Sequence, residues 1–211
     1  MLTLYYTPGT CALASHICLE EAGAEYEARR VDFAKEEQRQ PAYLAVNPKG
    51  RVPALVTPSG VLTETPALLV YIAQSFPEAR LAPLDDPFAL ARVQEFNSYL
   101  CSTLHVAHAH KMRGHRWADD PDAIAEMKRK VPETVAAGFD YIERHAFVGP
   151  YAMGETYTIA DPYLFTLARW MEGDKVDPAR FPKVAAHREM IQDRPAVQAA
   201  LAMQLGSGDK G

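Results

Sequence analysis

Residues 2–23 of the 211-residue chain read LTLYYTPGTCALASHICLEEAG, and this stretch decides the N-terminal architecture. Residues 2–6 are rich in β-forming side chains and end at Thr7-Pro8-Gly9, a pattern typical of a strand followed by a turn. The spacing of apolar residues then predicts a helix over residues 11–22, with Gly23 where a C-terminal cap belongs. The stretch therefore predicts a β-strand that leads directly into a helix.

Further strands and helices are predicted up to residue 80. Strands are predicted over residues 26–33, 52–56 and 61–63, a weak polar helix over residues 36–46, and a stronger helix over residues 66–76. The opening β-α-β order implies a parallel strand pair, and the turn at Pro58-Ser59-Gly60 adds an antiparallel edge. Residues 1–80 are therefore predicted to form an α/β domain built on a small mixed sheet.

The rest of the chain is predicted to be helical. Three prolines fall within residues 77–87, which indicates a linker. Beyond it, apolar residues recur at helical spacing, which predicts helices over residues 89–107, 124–142, 158–171, 181–192 and 195–203. Pro132 should kink or break the second of these helices, and the tail at residues 206–211 is expected to be disordered. Residues 87–205 are therefore predicted to form an all-α domain.

The composition argues against several classes of protein. Apolar residues make up 48% of the chain, the formal net charge is −5, and there are three cysteines. These values argue against a disordered chain, a disulfide scaffold and a nucleic-acid binder. The apolar run at residues 1–6 is too short for a signal peptide, and no stretch reaches the length of a membrane span. We therefore expect a cytoplasmic protein with no membrane or nucleic-acid partner.

Cys11 is the first candidate functional residue. It follows a strand and a turn and begins a helix, where unpaired N–H groups and the helix dipole would stabilise a thiolate. The alternative is a small buried residue with no chemical role. Cys18 lies too far along the same helix to form a redox or zinc pair with Cys11. Tyr6 ends the first strand and could hydrogen-bond a bound thiol, or could simply pack in the core.

Two other positions could bind a peptide-like ligand. A cis bond at Val52-Pro53 would turn the backbone N–H and C=O groups of Val52 outward, although most bonds before proline are trans. Thr65 is a good N-cap and Pro66 suits the first helical position, so this helix N-terminus could hold a carboxylate. Glu64 could then receive an ammonium group from the same ligand. Helix capping by itself also explains Thr65.

Two further patterns have structural interpretations. Residues 158–161, TIAD, form a capping box whose loss should cost about 1 kcal/mol. His105 and His108 share a helix face, but no nearby Cys, Asp or Glu completes a metal site, so no metal is expected. A histidine that lines a cleft between the domains is the favoured interpretation. The basic cluster around these two residues also contains His110, Lys111, Arg113, His115 and Arg116.

In combination, these pieces resemble the cytosolic glutathione S-transferases, nearest to the bacterial beta class. The resemblance extends from about residue 2 to about residue 200. It is carried by Leu13, His16 and His105 and by the segments 6–11 (YTPGTC), 47–55 (NPKGRVPAL), 62–65 (LTET) and 158–165 (TIADPYLF). It implies a thioredoxin-like N-terminal domain, an all-helical C-terminal domain and a homodimer. Glutathione would be the co-substrate.

The resemblance also assigns roles to particular residues. Cys11 and His105 would approach the glutathione sulfur, and Tyr6 is a third candidate for a hydrogen bond to it. Val52 would bind glutathione next to a cis proline, and Glu64 and Thr65 would hold its γ-glutamyl end. The full set of residues implied to bind glutathione is Lys35, Val52, Pro53, Glu64, Thr65 and Ser98. The electrophile is expected to lie against Phe96, Tyr99, Tyr163 and Trp170.

The sequence departs from the beta-class pattern at a few positions. Ala12 follows Cys11 where a serine is common, and Val106 follows the histidine where a lysine is common. Ser98 stands where an asparagine commonly reaches glutathione. These departures concern the strength of glutathione binding and leave the predicted fold unchanged.

The expected activity is conjugation of the glutathione thiol to small hydrophobic electrophiles, as in detoxification. Glutathione-dependent reduction of disulfides or peroxides through Cys11 could accompany it. One alternative is a specialised glutathione-dependent isomerase, dehalogenase or thiol-transferase. Another is a binding protein that kept the fold and lost the chemistry.

Overall fold

A four-stranded mixed sheet organises the N-terminal part of the chain in this computed structural model, which describes residues 1–206. The strands are β1 (Leu2–Tyr6), β2 (Tyr26–Arg30), β3 (Ala54–Thr57) and β4 (Gly60–Thr63), in the spatial order β2-β1-β3-β4. Strand β1 runs parallel to β2, and β3 is antiparallel to both β1 and β4. The predicted parallel pair and antiparallel hairpin are therefore confirmed.

Nine α-helices are present among residues 1–206. They are α1 (Ala12–Glu21), α2 (Pro41–Leu44), α3 (Thr65–Ser75), α4 (Pro87–Tyr99), α5 (His105–Arg113), α6 (Pro121–Tyr141), α7 (Ala160–Ala168), α8 (Pro182–Gln192) and α9 (Pro195–Gly206). A π-helical turn, Leu100–Leu104, joins α4 to α5. The sheet-bearing first part and the helical second part confirm the predicted combination of a thioredoxin-like domain with an all-α domain. Residues 207–211, most of the tail predicted to be disordered, lie outside the described part.

Helices α1 and α7 form the centre of the core. All nine residues of α7 are buried, and residues 12–19 of α1 are buried as well. A helix that is buried on every side needs neighbours all round, and α1 packs against α3, α7 and α9. The two parts of the chain are thereby joined through α1. Cys11 is the N-cap residue that directly precedes this helix.

The capping box at the start of α7 is the polar element of this core. Asp161 is fully buried and accepts the backbone N–H of Thr158 at 2.6 Å and that of Ala152 at 2.7 Å. Its carboxylate also lies 2.9 Å from Nε2 of the buried His187. One side chain therefore ties α7 to α8 and to the preceding loop, a larger role than capping alone.

Helix α6 differs from the sequence prediction at Pro132. The expected break is absent, because the helix runs from Pro121 to Tyr141 with Pro132 inside it. Proline at this position removes a donor to the carbonyl of Lys128, four residues earlier. Lys128 is exposed, so solvent can supply the missing donor. The helix is therefore not broken at Pro132, so that alternative was wrong, and the other alternative, a kink, stays a prediction.

No helix among residues 1–206 is long and apolar enough to cross a membrane.

Candidate active site

A cavity of about 720 Å³ lies between the sheet-bearing part and the helical part of the chain. One wall comes from the loop after β1, the loop before β3 and the start of α3. The facing wall comes from the π-helical turn, α5 and α7. Of the sequence-predicted site residues, the cavity brings together Cys11, Val52, Pro53, Glu64, Thr65, His105, Tyr163 and Trp170.

Cys11 lies at the floor of this cavity as the residue that precedes α1, and only 8% of its surface is exposed. Its thiol donates a hydrogen bond to the carbonyl of Val52, with the sulfur 3.6 Å from the oxygen. Burial raises the pKa of Cys11 to about 11, although a hydrogen bond from the Thr65 side chain acts in the opposite direction. The expectation that the helix N-terminus would favour a thiolate was therefore wrong for the free protein, because desolvation outweighs it.

The loop that carries Val52 is held by several polar contacts. The Tyr43 hydroxyl and the Asn47 side-chain amide both donate to the carbonyl of Arg51 at 2.6 Å. Gly50 has a φ of +60°, and a Cβ there would lie 2.9 Å from the carbonyl oxygen of Gln38, so only glycine fits. The bond between Val52 and Pro53 is cis, as the resemblance implied. Val52 precedes β3 and faces the cavity.

Glu64 and Thr65 lie at the start of α3. Thr65 is buried and is the first helical residue, so the N-cap is Glu64 and the assignment of Thr65 as the cap was off by one position. Glu64 has a φ of 73°, which a non-glycine residue adopts only where the surrounding structure holds it. Its carboxylate pairs with Lys49 at 2.5 Å, so an incoming ammonium group would compete with Lys49.

The π-helical turn positions the residues of the opposite wall. It inserts one extra residue per turn and so changes which side chains of residues 101–105 face the cavity. His105 places Nδ1 3.4 Å from the Tyr163 hydroxyl, and its ring lies 5.3 Å from that of Trp170. Burial is the main cause that lowers the pKa of His105 to about 4, and nearby cations act in the same direction. His105 is therefore neutral at physiological pH.

His108 and Lys111 share a buried carboxylate behind this wall. Nδ1 of His108 lies 2.6 Å from Asp174, and Lys111 Nζ lies 3.2 Å from the same carboxylate. The His108 ring stacks on Trp170 with the centroids 4.2 Å apart. This network fixes the orientation of Trp170, which lines the cavity. Among residues 1–206 no group of three or more His, Cys, Asp or Glu side chains could hold a metal ion.

Five residues predicted to belong to the site lie outside the cavity. Tyr6 is 1% exposed and packs against His16 with ring centroids 5.3 Å apart, because the alternation along β1 turns it into the core. Lys35 is exposed and pairs with Asp32 at 3.7 Å. Ser98 is exposed on α4. The remaining two, which line a small pocket against α6 instead of the main cavity, are Phe96 and Tyr99.

The sequence prediction also missed residues that line the cavity. Arg113 and Arg116 were noted only as part of a basic cluster, and that cluster was the available signal. Arg51 lies within a recognised motif but had no assigned role. Cys101 faces the cavity through the π-helical turn, which helical periodicity does not predict. The wall is therefore more cationic than expected.

Comparison with known proteins agrees with this architecture. The chain matches the family models "Glutathione S-transferase, N-terminal domain" over residues 1–74 and "Glutathione S-transferase, C-terminal domain" over residues 107–204. Glutathione S-transferase GstA of Escherichia coli O157:H7 is 33% identical to it, over 96% of this chain and 98% of the relative.

Solved structures give the same result. A glutathione transferase homolog from Sulfitobacter with bound glutathione is 50% identical, with a TM-score of 0.92 over 94% of this chain and 96% of the other. A bacterial beta-class enzyme of Sphingomonas chungbukensis is 33% identical, with a TM-score of 0.83 over 96% of this chain and 98% of the other. The chain therefore belongs to the glutathione S-transferase family of enzymes.

Proposed function

We propose that this protein binds glutathione along the cavity wall that carries Val52, Glu64 and Thr65, here called the Val52–Thr65 wall. It then conjugates the glutathione thiol to a small hydrophobic electrophile held against Tyr163 and Trp170. The observation that carries the proposal is that both walls line one and the same cavity. Its volume, about 720 Å³, falls within the range typical of small-molecule sites. A site of this size can hold the two reactants side by side, which is the main requirement of a bimolecular conjugation.

In the proposed reaction, the sulfur of glutathione attacks the electrophilic carbon and a leaving group such as chloride departs. The thiol proton passes to solvent. Cys11 supports this step as a hydrogen-bond donor, because its raised pKa keeps the S–H group protonated beside the developing thiolate. The neutral His105 is too weak a base to hold the thiol proton, so its role is a hydrogen bond to the glutathione sulfur.

The second candidate activity is glutathione-dependent disulfide reduction through Cys11. The observation that favours it is the presence of two thiols, Cys11 and Cys101, on the cavity wall. The raised pKa of Cys11 weighs against it, because the thiolate is the attacking species in disulfide exchange.

We also propose that the protein is cytoplasmic and forms a homodimer, as the family resemblance implies.

The Cys11→Ala variant separates these activities. We expect it to keep most of the conjugation rate with 1-chloro-2,4-dinitrobenzene and to lose any reduction of a glutathione mixed disulfide. Cys18→Ala, at a fully buried thiol away from the cavity, is the matched control. Complete loss of conjugation in Cys11→Ala with glutathione binding intact would show that the reaction requires Cys11, and would contradict its proposed role as a supporting hydrogen-bond donor.

A further inference from the structure

The cavity wall carries an unusual excess of positive charge for a chain whose net charge is −5. Among the described residues, the lining includes four arginines but only one carboxylate, that of Glu64. Glu64 is already paired with Lys49, so it does not neutralise the arginines. The arginines that line the cavity are Arg39, Arg51, Arg113 and Arg116.

Three of these arginines lack a counter-ion. Arg39 pairs with Glu36 at 3.3 Å, whereas no carboxylate of residues 1–206 lies within ion-pair distance of Arg51, Arg113 or Arg116. The three line the same cavity, and Arg113 and Arg116 lie three residues apart at the end of α5 and in the turn that follows. Burial first, and then the nearby charges of Arg51 and Arg113, lower the pKa of Arg116. Grouped cations without a counter-ion repel one another and attract anions. This arrangement favours an anionic ligand at their centre.

The segment that carries two of these cations is fixed by packing. Arg113 ends α5, and Arg116 lies in the turn that follows. Between them, Gly114 is buried so closely against α6 that an added Cβ would lie 3.0 Å from the Ile124 side chain. The backbone on which both guanidinium groups are mounted is thus held in place before any ligand arrives, which lowers the entropic cost of binding.

Apolar side chains stand beside the same cations. Trp117 is 47% exposed and Met112 is 67% exposed, and both line the cavity. The Trp117 ring meets His110 edge-on with the centroids 4.6 Å apart. Large exposed apolar side chains at a cavity mouth are typical of a surface that binds an apolar body. This wall therefore combines an apolar surface with a cationic one.

We propose, on the basis of the transferase function above, that the electrophile carries a carboxylate on an apolar body, and that Arg113 and Arg116, with Arg51 facing them, bind this carboxylate. A planar guanidinium group suits a carboxylate because it can donate two parallel hydrogen bonds. Glutathione also carries carboxylates, but the wall proposed to bind it, which carries Val52, Thr65 and Arg51, lies opposite Arg113 and Arg116. Arg113 and Arg116 share their own wall with Trp117 and Trp170.

A binding experiment tests this inference without any turnover. The two tryptophans of the chain, Trp117 and Trp170, both line the cavity, so nitroaromatic ligands that enter it should quench the protein fluorescence. The probes are 3,5-dinitrobenzoate and its carboxamide, which share the ring and lack a leaving group. We expect the benzoate to bind at least about tenfold more tightly at low salt, and the difference to shrink at 0.5 M salt. Equal affinities would overturn the inference.

Arginine variants test which residues cause the preference for the carboxylate probe over the carboxamide. Arg113→Met and Arg116→Met should each reduce the preference for the carboxylate by about tenfold. Arg129→Met, which removes the same charge from an exposed ion pair on α6, should leave the preference unchanged. An equal loss in all three variants would mean that net charge alone is responsible and would overturn the inference. Loss of the preference for the carboxylate in the presence of 10 mM glutathione would also overturn the inference, because the arginines would then bind the carboxylates of glutathione.

Turnover with a matched pair links the inference to catalysis. With 4-chloro-3,5-dinitrobenzoate and its carboxamide, each rate is divided by the uncatalysed rate with glutathione, to remove differences in ring reactivity. We expect a higher corrected kcat/KM for the carboxylate, and the ratio should fall about tenfold in Arg116→Met. If neither compound is conjugated, the proposed function fails as well. If both are conjugated equally well, only the inference of an anionic electrophile fails.

Discussion

The protonation state of Cys11 in the free protein follows from its surroundings. Cys11 is 8% exposed, and burial raises the pKa of its thiol to about 11. Each pH unit below the pKa lowers the thiolate fraction tenfold, so about one Cys11 side chain in ten thousand is ionised at pH 7. An exposed cysteine with a pKa of about 8.5 is about 3% ionised at that pH. Cys11 should therefore be about 300-fold less ionised than an exposed cysteine.

The assay is the rate of Cys11 alkylation by iodoacetamide as a function of pH. Peptide mass spectrometry separates Cys11 from Cys18 and Cys101. Limited access scales the whole rate curve without moving its midpoint, so the midpoint reports ionisation. We expect the rate to rise about tenfold per pH unit from pH 7 to pH 10. A plateau below pH 8 would show that the helix N-terminus sets the pKa and would refute the argument from burial.

A substitution of Thr65 provides a second test of the same reasoning. The Thr65 side chain hydrogen-bonds Cys11 and lowers its pKa, opposing the effect of burial. Thr65→Val keeps the shape and removes the hydroxyl, so Cys11 alkylation at pH 8 should slow by about tenfold. Thr134→Val, an exposed substitution on α6, is the control. No change in Thr65→Val would show that the hydroxyl does not act on the thiol.

Two further predictions concern stability, measured by urea unfolding. Asp161→Ala should lower the free energy of unfolding by about 3–5 kcal/mol, because it leaves two buried N–H groups and His187 without their acceptor. The control is Asp86→Ala, at an exposed cap that also accepts two N–H groups, which should cost about 1 kcal/mol. Equal losses in the two variants would contradict the role of burial. The second prediction concerns pH. Burial lowers the pKa of His16 to about 4, so the neutral side chain stabilises the fold fully above the unfolded-state pKa of 6.5, and this stabilisation is lost as pH falls towards 4. We expect the free energy of unfolding to be about 2 kcal/mol lower at pH 5 than at pH 7 because of His16, and His16→Gln should remove this part of the pH dependence.

Local patterns in the sequence predicted most of the fold. The strand and turn before Cys11, the hairpin at Pro58-Ser59-Gly60 and the helical stripes each depend on nearby residues, and the structure confirms the mixed sheet and the helical second part. The break predicted at Pro132 is absent, because the effect of this proline depends on whether solvent can reach one carbonyl of α6. That property belongs to the folded helix and not to the sequence pattern.

The site was harder to predict because its chemistry depends on burial. The position of Cys11 at a helix entrance favours a thiolate, but the packing that raises its pKa involves residues far along the chain. Tyr6 was assigned to the site because it ends a strand, yet the alternation of β1 turns it inward. The π-helical turn places Cys101 and His105 on the cavity wall, and no sequence periodicity predicts such a turn.

The most direct test of the central claim is calorimetric titration of the full chain with glutathione. We expect saturable binding of one glutathione per chain, with a dissociation constant below about 1 mM. We also expect that Thr65→Val weakens this binding by about tenfold while Thr134→Val does not. Absence of measurable heat at millimolar glutathione would contradict the assignment of this cavity as a glutathione site, and equal affinities in Thr65→Val and Thr134→Val would contradict the placement of glutathione along the Val52–Thr65 wall.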